Sequence, residues 1–287
     1  RADALEQLGR IDDSLHARRQ CLALAGTADD PACELAMALS RAGEPDAARR
    51  TLAARGSALA QWLAFQLLPI VYRDADEIAH WREHWRAGLA GFDARAQALG
   101  AAECAAVLAS TPGFFRHYLD DDLLDDQRHA AAVVERMVHA LVRAPRVRSS
   151  ARRHGRLRIG FASAHLHQHT VGRLFGGFIG GLDRTRFEVV VASLSRDPGA
   201  GEALRGCTDA VLGPHASVAA WVDALAAADL DVLLWLDIGM DGTTQALSAL
   251  RFAPLQCMFW GHPVSSGLAA IDVFISAVAM EGADAAR

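Results

Sequence analysis

The feature that most constrains this chain is the alternation that begins at Leu157. Short, almost uninterrupted apolar runs are separated by stretches with helical spacing of their apolar residues. The runs are "LRIGFAS" (157–163), "FEVVVASL" (187–194), "DAVLG" (209–213), "DVLLWLD" (231–237), "PLQCMFWG" (254–261) and "DVFISA" (272–277). Runs apolar on both sides of the strand, joined by amphipathic helices near 172–182, 217–228 and 243–250, belong to a parallel sheet covered on both faces. This predicts a Rossmann-like α/β domain over residues 151–287.

The first half follows a different period. In "DPACELAMALSRAGEPDAARRTLAARG" apolar residues recur at three and four, with Asp30 before Pro31 as an expected cap and first-turn pair. Gly9-Arg10-Ile11-Asp12 and Gly43-Glu44-Pro45-Asp46 each join one helical stretch to the next, and their offset matches the ~34-residue period of tetratricopeptide repeats. Residues 1–57 are therefore read as TPR-like helices, with further repeats expected upstream because such stacks need about three. Residues 58–150 continue as helices and end in a linker, the basic, serine-paired "RAPRVRSSARRHGR" (143–156). Ile78, Trp81, Trp85 and Leu89 share one helix face and are read as core. The acidic run Asp120–His129 is read as a helix start with a solvated face.

Composition removes several classes of function. Of 287 residues 52% are hydrophobic, enough for a large core, and the net charge of −5 with arginines mixed among acids leaves no basic stripe for nucleic acid. No lysine occurs, which reflects base composition rather than chemistry. Five widely spaced cysteines without C-x-x-C fit a reducing compartment, and hence the cytoplasm, with buried thiols rather than disulfides or zinc. No apolar stretch reaches the ~20 residues that cross a bilayer, and the Arg-Ala-Asp start reads as cut.

In parallel α/β sheets chemistry sits outside the carboxyl ends of the strands. The loops there are "AHLHQHTVG", "SRDPGAG", "DIGMDGTT" and "GHPVSSG". Neither G-x-G-x-x-G nor G-x-x-x-x-G-K-[ST] is present, which disfavours a dehydrogenase and a P-loop nucleotide site, and without G-x-S-x-G a Ser-His-Asp hydrolase lacks its nucleophile turn. His165, His167 and His169 alternate and invite a metal, but no ligand pattern accompanies them, so none is expected. His169 is instead placed to act as a base or hydrogen-bond partner at a helix start, where Thr170 and free N–H groups near Gly172 could hold an anion. Asp241 or Thr243 would cap the next helix, whereas Asp237, at the end of an apolar strand, has no such structural duty. His262 is a candidate ligand-binding residue in the tight turn shaped by Gly261 and Pro263; Ser265 and Ser266 could face a ligand or only close the loop.

The stretches "LRIGFASAHLHQHTVGRL", "LDRTRFEVVVASLS", "DVLLWLDIGMDGTTQALSALRFAPLQCMFWGHPVSSGLAAIDVFIS" and "AVAMEGADA", with "LLPIVYRDADEIAHWREHWRAGL" before them, resemble the bacterial, SPINDLY-like branch of the O-linked N-acetylglucosamine transferase family. The resemblance implies a GT-B glycosyltransferase: helical repeats that present acceptor polypeptide, then two Rossmann-like domains across a cleft. It implies inverting transfer of a sugar, typically N-acetylglucosamine from UDP, to serine or threonine, with no metal and no cofactor. His169 falls on the family's active-site histidine, and Gly261, His262 and Pro263 on a loop lining the same cleft; Thr170 stands where eukaryotic members carry proline and His165 where they carry an acid. The second, donor-binding domain would lie beyond Arg287, so the chain by itself is expected to be a fragment with little or no activity. A non-catalytic interaction module and an asparagine-glucosylating relative are the alternatives.

Overall fold

A computed structural model describes residues 1–26, 28–110, 113–119, 123–147, 155–195 and 204–281. The chain divides into two compact units, residues 1–121 and 122–287.

The first unit is helical: α1 (Ala2–Gln7), α2 (Ile11–Ala25), α3 (Asp29–Arg41), α4 (Pro45–Leu52), α5 (Ala58–Gln66), α6 (Ala75–Ala96) and α7 (Ala101–Leu108), then a 3-10 turn, Phe114–Leu119. The repeat seen in sequence is present in the hydrogen bonds. The amides of Leu8, Gly9 and Arg10 donate to Ala4, Glu6 and Leu5, and those of Ala42, Gly43 and Glu44 donate to Ala38, Ser40 and Leu39 at equivalent positions. Asp30 is not the cap of α3. The helix begins two residues earlier, after Ala28, which leaves Asp29 and Asp30 both in the first turn; Asp29 accepts instead from the Ser57 amide at 2.7 Å. The tryptophans of α6 are core: Trp81, Trp85 and Leu89 are buried, and Trp62, Phe65, Trp85 and Phe92 pack edge-on or tilted. Arg116 lies over the Trp85 ring at 3.8 Å.

The second unit opens with α8 (Leu124–Leu141), so the division falls well before the expected boundary near residue 150. The reason is packing: α8 lies against a later helix of this unit, and its Glu135 accepts from the Ala269 amide at 2.9 Å. Residues 148–154 of the expected linker lie outside the described residues. The sheet then runs through β1 (Leu157–Ser163), α9 (Thr170–Gly180), β2 (Phe187–Ser193), β3 (Ala210–Leu212), α10 (Val218–Ala227), β4 (Val232–Trp235), α11 (Gly242–Ser248), β5 (Leu255–Phe259) and β6 (Val273–Ile275). All pairings are parallel, in the order β3-β2-β1-β4-β5-β6. Val189 and Val191 face a cluster with Phe161, Val171, Phe175, Ile179 and Phe259, while Val190 and Ala192 between them are also buried. Both faces of the sheet are thus covered, which is why its strands are apolar throughout. The strand order reverses direction between β1 and β4, and a crevice at such a switch point is where ligands of open α/β sheets bind.

All five cysteines are unpaired; Cys33, Cys104 and Cys257 are buried as expected, while Cys21 is exposed. Among the described residues no helix is long and apolar enough to cross a membrane.

Candidate functional site

The loops after β1, β4 and β5 converge at the switch point. β1 ends on Ser163, whose hydroxyl is fully buried and organises the two loops beside it. It donates to Asp237 Oδ2 and accepts from the His165 amide, both at 2.8 Å. The chain then turns through His165–Gln168 into α9, where His169 occupies the N-cap position and its Nδ1 accepts from the Val171 amide at 3.2 Å. Gly172 lets this first turn lie against the histidine loop, since a Cβ there would strike the His167 carbonyl. Thr170 is the first helical residue and is exposed.

After β4 the chain carries Asp237 and then Asp241. Asp241 caps α11 as the sequence suggests: its Oδ1 accepts from the amides of Thr243 and Thr244 at 2.8 and 2.9 Å, and Oδ2 accepts from the Thr244 hydroxyl. Asp237 is 0% exposed. Burial, and then the charge of Asp241, push its carboxyl up to about 8, against the opposing hydrogen bonds of Ser163 and the backbone.

The loop after β5 closes over β4. Gly261 has no alternative there, because a Cβ would collide with the Leu236 carbonyl. His262 is only 5% exposed and turned inward, beside Gly239. Pro263 is exposed, and Ser266 accepts from the Leu268 amide at 3.3 Å, a local loop-closing bond. The six residues expected at the site, His169, Thr170, Asp237, Gly261, His262 and Pro263, therefore all follow the carboxyl ends of β1, β4 and β5, with Asp237 and His262 buried. Most of the "SRDPGAG" loop lies outside the described residues.

Sequence reasoning missed two members. Ser163 has the same signature as Asp237, a polar residue closing an apolar strand, yet serine there is too ordinary to single out. His165 stands out in the sequence as one of three alternating histidines and as a departure from the acid of eukaryotic members, and neither feature gives it a role. Its ring stacks on that of His169 at 4.5 Å, with His167 5.8 Å from His169, and its Nε2 approaches Asp237 Oδ2 at 3.9 Å. Geometry alone would make an ion pair of His165 and Asp237. Burial, followed by the neighbouring His169, lowers the His165 pKa while burial raises that of Asp237, so both shifts favour the uncharged forms of the two groups. Burial and His167 likewise keep His169 neutral.

His165, Asp237 and Asp241 bring three ligand-type atoms within 4.8 Å of one another, the one such grouping among the described residues. Asp241 is engaged in the α11 cap and Asp237 Oδ2 accepts from Ser163, while Asp237 Oδ1 and His165 Nε2 have no hydrogen-bond partner.

A search of curated proteins finds no match. Among solved structures, a mutant of the Thermobaculum terrenum O-GlcNAc transferase is similar, with a TM-score of 0.60 and 19% identity over 95% of this chain. At that identity the likeness establishes the fold, helices followed by a parallel-sheet domain; this chain spans 51% of that structure's length. Residues 123–285 match the description Glycosyl transferase family 41. That match begins at α8 and takes in all three converging loops, more than half of the sequence, and on it the chain belongs to glycosyl transferase family 41.

Proposed function

We propose that this chain is the helical and acceptor-side part of an inverting glycosyltransferase of the SPINDLY-like type, one that moves N-acetylglucosamine from UDP to serine or threonine hydroxyls of polypeptides. The observation that carries the reading is the convergence of the β1, β4 and β5 loops at the sheet's switch point inside the segment matched to the family. The similar structure's own designation as an O-GlcNAc transferase supports the choice of sugar. His169, Thr170 and the Gly261–Pro263 turn would line the sugar and hydroxyl side of the cleft, Asp237 and His262 would support it from below, and the TPR-like helices would present the polypeptide.

The nucleotide would be held by a second Rossmann-like domain outside these 287 residues, in keeping with a chain that spans 51% of the similar structure. By itself the chain would then transfer little or nothing, because leaving-group stabilisation is commonly the largest electrostatic contribution to such a step. Neither metal nor cofactor is required, and the reaction would take place in the cytoplasm.

The test is to incubate the complete gene product containing this segment with radiolabelled UDP-N-acetylglucosamine and a cell extract, with and without a chelator. Label on protein that resists chelation and is released by alkaline elimination is expected. Label that survives elimination but is removed by an amidase would move the acceptor to asparagine. No transfer of any UDP-sugar would leave a binding module in place of an enzyme.

A further inference from the structure

The two stacked histidines of the site are held in different ways, and the difference assigns them different chemistry. His169 receives the Val171 N–H on Nδ1. A nitrogen that accepts a hydrogen bond carries no hydrogen, so the neutral ring has its hydrogen on Nε2 and can only donate there. A ring fixed in this way is a poor proton acceptor on its open side. His165 is oriented the other way. Its Nε2 is buried without a hydrogen-bond partner and lies 3.9 Å from Asp237 Oδ2, while Asp237 Oδ1 is also buried without one. The side chain is 23% exposed, and Nε2 is not its exposed part. The gap to the carboxylate is about 1 Å longer than a hydrogen bond, within reach of a small ring rotation.

We propose that His165, oriented through Nε2 by the buried Asp237, takes the proton in this pocket through Nδ1, and that His169 gives a hydrogen bond from Nε2 instead. This rests on the glycosyl transfer proposed above and names the base of that reaction. In the step, the acceptor hydroxyl oxygen bonds to the anomeric carbon of the sugar. The bond from that carbon to the nucleotide's phosphate oxygen breaks, its electron pair leaving with the phosphate, and the hydroxyl proton passes to His165 Nδ1. Asp237 acts through His165 and is a positioning residue.

The groups facing this pair are Ser163 from β1, His167 and His169 from the following loop, Asp241 from the α11 cap, and His262, which reaches Gly239 from the loop after β5. When the ring has turned to close that gap and a protonated Asp237 donates to Nε2, Nδ1 must carry the ring's own hydrogen and is closed as a base. Loss of that proton leaves Nε2–H facing a carboxylate and opens Nδ1.

The first experiment needs no activity. Long-range ¹H–¹⁵N spectra of the histidine rings in the 287-residue chain report tautomers between pH 5 and 10. His169 is expected to keep its hydrogen on Nε2 throughout. His165 is expected to lose the hydrogen from Nδ1 as pH rises through about 8, together with Asp237, and to lose that step in Asp237→Asn. A His169 ring with hydrogen on Nδ1, or a His165 titration unchanged in Asp237→Asn, would overturn the assignment.

The second uses the complete gene product. His165→Gln should lower kcat by about 10²–10⁴-fold with little change in KM for the nucleotide sugar. His169→Gln, which keeps an N–H donor, should retain more activity than His169→Ala. The rising limb of the kcat profile should disappear in Asp237→Asn. Activity of His165→Gln near that of the wild type overturns the role given to His165. A wild-type protein that transfers no sugar overturns the parent reading and this role with it, while the spectra still decide the ring assignments.

Discussion

Asp237 is a carboxyl folded into a place where its charge is unwelcome, and this sets a sign for stability against pH. Its folded pKa, about 8, lies above the ordinary value of 3.8. The folded state therefore holds a proton that the unfolded chain releases, and this contribution is complete below about pH 4 and lost as pH rises through 8. Melting the wild type and Asp237→Asn at pH 5 and pH 9 should show the variant gaining relative stability at the higher pH, by a few kcal/mol at most. An equal difference at both pH values would mean that Asp237 is ionised throughout. Asp241, four residues on, has an ordinary duty, and its replacement by alanine should cost about 1 kcal/mol in a denaturant titration, most of it restored by serine or asparagine. Asp237 could be picked out in the sequence because a carboxylate ending an apolar strand has no local use. The roles of Ser163 and His165 could not, because they depend on β1 and β4 being neighbours, a pairing between segments more than 70 residues apart in sequence.

Among the elements, the strands were the most legible. β1 occupies the expected residues, and β4 and β5 lie inside their apolar runs, because a strand buried on both faces has almost no freedom in composition. Helix starts were less legible: α9 begins at Thr170 rather than near Gly172 because a histidine serves as its cap, a residue outside the usual capping set. α8 was the larger surprise, a helix that precedes the expected linker yet packs with the sheet unit through contacts, such as Glu135 to Ala269, that no local pattern announces. Two glycines give a paired test at this scale. Gly177 is an exposed position within α9 where a Cβ meets nothing within 4 Å, so Gly177→Ala should stabilise by roughly 0.5–1 kcal/mol. Gly261→Ala drives a Cβ into the Leu236 carbonyl and should destabilise by about 1–3 kcal/mol. Denaturant midpoints that move in the same direction would contradict the backbone approach described for the β5 loop.

At the scale of the whole molecule, the division after residue 121 has a direct consequence. A segment of residues 122–287 should fold cooperatively by thermal melting and show dispersed amide spectra, whereas 151–287, stripped of α8, should be markedly less stable. Equal behaviour of the two would return the boundary to the basic stretch near residue 150. The repeat spacing of 34 residues was readable in the first unit because Gly9 and Gly43 close two equivalent turns, whereas what the second unit does depended on three loops meeting, and each of them alone was ambiguous. The most direct measurement of the central claim is transfer of labelled N-acetylglucosamine to protein by the complete gene product, wild type beside His169→Ala. Transfer by the wild type that falls by two orders of magnitude or more in the variant is the predicted result. Transfer that proceeds unchanged without His169 would contradict the placement of the reaction at the carboxyl ends of β1, β4 and β5.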